Sequence, residues 1–188
     1  MKIRLILSAL IFGTLNLCSF STFASAPTTE EPLIPIATLD VPRYLGTWYE
    51  IAKFPNWFQR KCASDTRADY SLKPDGTLQV LNRCRQIDGE ITEALGAARQ
   101  IGDASSPKLK VRFAPAWLSF IPAVWGNYWV IDLDADYQLA AVSEPGREYL
   151  WILSRSPQPA PQAYAALLER LKNKGFDIRK LEITPHTP

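Results

Sequence analysis

At 188 residues, with 21 basic and 19 acidic side chains, the chain carries a formal charge of only +2 and holds three cysteines. Lys2 and Arg4 stand in the first few positions, so everything after them is neutral overall. No basic stripe remains to release counterions from phosphates, which excludes nucleic acid as a partner.

Behind Lys2 and Arg4 comes an apolar run over residues 5–17, then Ala24-Ser25-Ala26, the small-x-small pattern of a signal peptidase site. The run is too short to span a bilayer as an anchor. Residues 1–26 therefore read as a signal peptide, with cleavage after Ala24 left open because Pro27 follows Ala26. Residues 27–42, with Pro27, Pro32 and Pro35, suit an extended leader, and residues 43–188 form one domain with a sizeable core.

Strand signals follow at short spacing over residues 48–54, 66–72, 77–84, 91–100, 108–113, 128–133, 137–142 and 149–153. Eight strands joined by turns are the count of an antiparallel up-and-down barrel. Alternation is clean in the second, where Thr66, Ala68, Tyr70 and Leu72 interleave with Arg67, Asp69, Ser71 and Lys73, and poor over 128–133, which needs cover outside as well. A C-terminal helix can supply it: Pro159-Ala160-Pro161 opens it, Tyr164, Leu167, Leu168 and Leu171 share a stripe, and Gly175 stops it. Residues 176–183 then read as a short final strand beside the barrel.

Cys62 and Cys84 are the thiols left after processing, and export places them where a bridge persists. The turn sequence Lys73-Pro74-Asp75-Gly76 sets their strands as a hairpin, in which Cys84 falls three residues from Cys62 unless the entering chain bends. The reading is a Cys62–Cys84 disulfide.

No catalytic constellation is visible. The one histidine, His186, lies in a terminal segment expected to fray, and Asp132, Asp134 and Asp136 cluster in a turn without a cleft. No metal or cofactor is implied, and the chain does not read as an enzyme. The fourth strand carries the small residues Ala94, Gly96 and Ala98 at alternating positions, which leaves room inside. The walls of such a cavity are expected from Tyr70, Val80, Phe113, Trp125, Tyr128 and Trp151, with Trp57 at the rim. Asn82 is polar on an inward face, and either caps a main-chain group or orients a ligand head group. The connections after Phe54 and Phe113 hold Trp57, Phe58, Trp117 and Phe120; they either pack on each other or meet a membrane surface.

Three separated segments carry the sharpest signal: Gly46-Thr47-Trp48, Asp136-Tyr137, and Arg155 after Tyr149-Leu150-Trp151-Ile152-Leu153-Ser154. A guanidinium can stack on a buried indole while its donors reach carbonyls, so Trp48 and Arg155 together could close a barrel floor. In order and spacing these segments resemble the signature regions of the lipocalins, most of all the bacterial outer-membrane group around apolipoprotein D. Ala135 departs from that pattern, standing where the family usually has Thr. The resemblance implies an all-β barrel that binds or carries a fatty acid, a lysophospholipid or a similar amphiphile, tail inside and head near the rim, in the periplasm or at the outer membrane. A flat pigment such as a tetrapyrrole, or a rim that docks on a membrane or protein while the barrel stays filled, are the alternatives. It also raises a lipid anchor at Cys18; Leu17 stands where a small residue is usual, so soluble export is preferred. Oligomeric state is not legible.

Overall fold

The computed structural model describes residues 31–187; the expected signal peptide and Cys18 lie outside the described residues. A one-turn helix α1 (Val41–Tyr44) leads into eight strands, β1 (Gly46–Lys53), β2 (Cys62–Leu72), β3 (Leu78–Gln86), β4 (Ile91–Gln100), β5 (Lys108–Arg112), β6 (Gly126–Leu133), β7 (Leu139–Ser143) and β8 (Leu150–Ser154). Helix α2 (Pro161–Asn173) and a two-residue strand β9 (Glu182–Ile183) complete the chain. Each strand pairs antiparallel with the next, and β8 pairs back onto β1, so the sheet closes. Closure removes sheet edges, and eight strands leave an interior that side chains nearly fill.

Two apolar layers hold the barrel. Trp48, Tyr70, Val80, Ala98, Leu109, Val130 and Val142 meet inside, while Ile51, Ala52, Ile131, Ala141 and Ile152 turn outward to Leu167 and Leu171 of α2. An extra residue in β1, between Glu50 and Ala52, shifts the register and lets Ile51 and Ala52 both face the helix. The poor alternation of β6 has the same origin: Ile131 lies under α2, and Asp132 receives both Nε and Nη2 of Arg170 at 2.8 Å.

Several boundaries differ from the sequence reading. β7 begins at Leu139, not Tyr137, because Tyr137 sits in the turn at φ 58°. The final strand shrinks from 176–183 to two residues, since Asp177 caps a 3-10 turn at Ile178–Lys180. Residues ahead of α1 are extended yet not loose: Leu33 and Leu39 are buried, and Ile36 N–H donates to Val130 O at 3.0 Å.

The disulfide joins Cys62 to Cys84 with Cα atoms 5.5 Å apart. The bend it needs is a pair of register shifts in β2, between Cys62 and Ser64 and between Ser64 and Arg67. A loop of this length contributes about 3 kcal/mol, chiefly by restricting the unfolded chain.

Candidate functional site

Strand direction divides the barrel into two ends. The connections after β2, β4 and β6 lie at the end where β1 begins, and those after β1, β3, β5 and β7 lie at the other. The first end is sealed. Arg155 stacks over Trp48 with its guanidinium carbon 4.0 Å from the ring centroid. Its nitrogens donate to Thr47 O (2.8 Å), Arg43 O (2.8 Å), Leu45 O (2.8 Å) and Tyr137 O (3.3 Å). Gly46 passes beneath at φ 92°, and an added Cβ there would meet Arg155 Nη1 at 3.4 Å. The expected plug is therefore present, with one change of actor. The Asp136 carboxylate accepts no hydrogen bond among the described residues; Asp134 holds the turn instead, accepting from Gln138 N–H (2.7 Å) and Leu139 N–H (2.6 Å).

Above the plug, three phenols close the floor. Tyr128 Oη lies 2.9 Å from both Tyr44 Oη and Tyr70 Oη. Burial pushes the Tyr70 hydroxyl up to about 12 and raises Tyr44 and Tyr128 as well, so all three stay neutral. A void of about 10 Å³ remains beside them, lined by Leu39, Leu78, Ala98, Leu109 and Val111 among others. A single water needs about that much, so no ligand fits this deep. Tyr70, Val80 and Tyr128 accordingly pack at the floor of the lumen, where Tyr70 and Tyr128 line this small void.

The upper half is different. Asn82 pairs across strands with Ala94, and Val80 with Gly96. Alternation from Ala98, which lines the floor, turns all of these inward, yet Ala94 is exposed and Asn82 only half-buried. The Asn82 amide makes no hydrogen bond with the described residues, so it caps no main-chain group. Phe113 leans over Gly96 so closely that an added Cβ would come within 2.7 Å of its ring. Opposite, Trp151 pairs with Lys53 and Val142 on the inward face. Trp125 is the expectation that fails. It lies outside the barrel between outward-pointing guanidinia, 4.4 Å from Arg99 and 5.3 Å from Arg112, because Gly126 takes the inward position opposite Val111.

A polar cluster that sequence reading missed braces the mouth. Trp151 Nε1 donates to Gln59 Oε1 (2.9 Å), Gln59 Nε2 to Glu50 Oε2 (2.6 Å), and Thr184 Oγ1 to Glu50 Oε1 (2.7 Å). Glu50 is nearly fully buried, two residues from inward-facing Trp48; the alternation of β1 alone would have placed a carboxylate inside. Phe58 packs beside Tyr149 (5.7 Å) and Trp151 (6.2 Å), whereas Trp57, Trp117 and Phe120 stand clear of the rim, each more than 70% exposed. His186, expected to fray, is docked with Nε2 2.8 Å from Glu50 O and its ring edge-on to Tyr49.

Burial raises the Glu50 carboxyl above its ordinary value, against the hydrogen bonds from Thr184 and Gln59. A carboxyl raised on folding destabilises the native state as pH climbs above about 4.5, where the unfolded chain already ionises. Glu50→Gln keeps both contacts, accepting from Gln59 and donating to a rotated Thr184 hydroxyl. Urea midpoints across pH 4.5–8 should fall less steeply for this variant than for the parent, and parallel curves would contradict the assignment.

Residues 39–186 match the family model of a lipocalin-like domain. The chain belongs to the lipocalin family. It is 44% identical over 162 residues to temperature-induced lipocalin-1 of Arabidopsis thaliana, covering 85% of this chain and 86% of that protein. It is 39% identical over 157 residues to the outer membrane lipoprotein Blc of Escherichia coli K12 (83% and 84% covered), and 32% identical over 151 residues to mouse apolipoprotein D (77% and 76%). Insecticyanin of Manduca sexta shares the fold, with a TM-score of 0.64 at 20% identity over 81% of this chain and 84% of that one. In this lipocalin both thiols of the described residues are joined in the disulfide, so Cys84 offers no thiolate to the lumen in the oxidised protein. Among the described residues, no helix is long and apolar enough to cross a membrane and no cluster of side chains has the makings of a metal site.

Proposed function

We propose that this lipocalin binds a single-chain amphiphile, a fatty acid or lysophospholipid, non-covalently in the upper half of its lumen and exchanges it at a membrane surface. The observation that carries the reading is the open inward face of β3 and β4, where Ala94 and the unpaired Asn82 amide stand above a floor closed by Tyr70 and Tyr128. From Val80 to Gln86 the strand rises about 20 Å, or about 15 Å along a tilted barrel axis. A longer acyl chain must leave its head at the mouth, among the rim residues, with its tail running down past Asn82. Each buried methylene contributes about 0.8 kcal/mol, so chain length dominates affinity. Phe58, Phe113 and Trp151 supply the apolar walls.

The rim supports the membrane half of the reading. The connection between β5 and β6, residues 113–125, contains no charged side chain and projects Trp117 and Phe120 into solvent, while Trp57 projects from the opposite side of the mouth. Indole and phenyl groups held at a protein tip partition into the headgroup boundary of a bilayer. The signal peptide reading and the printed name of the Blc relative support export, with residence in the periplasm or at the outer membrane and a soluble form preferred to an anchor at Cys18.

Native mass spectrometry after mild purification should show a bound amphiphile, and added palmitate should quench tryptophan emission through Trp151. Absence of both overturns the carrier reading and leaves the rim as a docking surface on a filled barrel. Trp117→Glu with Phe120→Glu should lower sedimentation with phosphatidylcholine vesicles at least tenfold while palmitate binding stays intact. Undiminished sedimentation would remove the membrane from the proposal.

A further inference from the structure

β1 and β2 pair only from Gly46↔Tyr70 to Tyr49↔Arg67. Above that level the two strands part, with shifts at Glu50/Ala52 in β1 and twice in β2, and Asp65 adopts φ 56° at the fork. The C-terminal tail fills the gap. On the β1 side it is held well: β9 pairs with Ala52 and Lys53, Thr184 N–H donates to Ile51 O (3.0 Å), Glu182 meets Lys53 Nζ (2.7 Å), and Thr184 and His186 both reach Glu50. On the β2 side every hydrogen bond among the described residues passes through one residue. Asp65 N–H donates to Pro185 O (2.9 Å), and Asp65 Oδ1 accepts from Thr187 N–H (2.8 Å) and Thr187 Oγ1 (2.9 Å). Its other oxygen, Oδ2, accepts from Ser64 Oγ and Arg85 Nε, which fix the carboxylate to the scaffold.

We propose that this seam is a lateral portal into the lumen, sealed by the Asp65–Thr187 clamp, through which an acyl chain enters and leaves sideways. A terminal segment joined to one of its two flanking strands through a single residue is the cheapest part of a closed wall to open on that side. Outside the seam lies a hollow of about 430 Å³ bordered by Tyr49, Arg67, Arg83, Arg85, His186 and Thr187, room for an amphiphile waiting at the gap. Inside it lie Glu50 and Thr66, at the level of the open upper lumen. The route needs no passage through the mouth, where Gln59 and Phe58 are pinned to Trp151.

The inference rests on the barrel taking an amphiphile, so the first test needs no ligand. Amide exchange on the intact protein should be at least tenfold faster at Asp65 and Thr187 than at Trp48 and Ala68 in the paired lower part of the same strands. Equal protection overturns the portal while leaving the carrier reading untouched. Thr187→Pro removes both donors to Oδ1 at an exposed residue outside both apolar layers, where folding is not at stake. With a fluorescent fatty acid in stopped flow, association and dissociation should both rise at least fivefold in this variant while Kd moves less than threefold. Unchanged rates, or a shift in Kd carried by only one of the two rates, would show that the tail is wall and not gate. A chain ending at Leu181 should exceed Thr187→Pro in both rates, provided circular dichroism reports the barrel intact.

Discussion

Arg155→Ala is expected to cost about 4 kcal/mol of folding stability, read as a lower urea midpoint at unchanged slope. Hydrogen bonds from a charged donor contribute about 1.5–3 kcal/mol each when one partner is deleted, and Arg155 serves four carbonyls from two segments. The sum is discounted because the guanidinium is only partly buried and water reaches some of those oxygens. Stacking over Trp48 adds about 1 kcal/mol. Arg155→Lys should recover less than half of the loss, since an ammonium cannot address residues 43, 45, 47 and 137 from one plane. A loss below about 1 kcal/mol for the alanine variant would mean that the phenol floor, not the plug, closes the barrel.

The largest effect on binding is expected from Ala94→Trp. Ala94 faces inward but touches solvent, so a larger side chain meets no packed neighbour and thermal stability should stay within about 0.5 kcal/mol of the parent. The indole would occupy the space assigned to the acyl chain, beside Asn82 and on the mouth side of Gly96 and Phe113. Palmitate affinity should fall at least thirtyfold by tryptophan-independent competition with a fluorescent fatty acid. Retained affinity would place the ligand outside the lumen.

Closure was legible wherever one residue type has one physical use. Gly46, Trp48 and Arg155 announce the plug because an indole buried at a strand start needs a flat cation and a glycine beneath it. The stripe of Leu167 and Leu171 announces the helix, and the double-sided β6 announces where it lies. Trp125 follows a loop of irregular turns, across which a pattern of period two has no memory, so its side of the sheet is not legible from Phe113 onward. Asp134 was passed over in favour of Asp136 because adjacent acids in a turn differ only in which main-chain amides the backbone aims at them. The β1 bulge hid the tail: one extra residue parts two strands, and no composition marks it. Alternation marks Tyr70 and Tyr128 as inward-facing, but it carries no sign that their hydroxyls meet across the barrel and close its floor.

Helix α2 covers only part of the circumference. Strands β7 and β8 are buried on nearly every residue, whereas β4 is wet along most of its length. The barrel is thus a double-ply half laminated to a single-ply half, and the two halves differ in stiffness. Girth is adjustable only along the thin side, where β2 to β5 bend without shearing a second layer. In the proposed carrier, chains of unequal width would be accommodated by breathing on this one flank while the plug and the helical backing keep their shape.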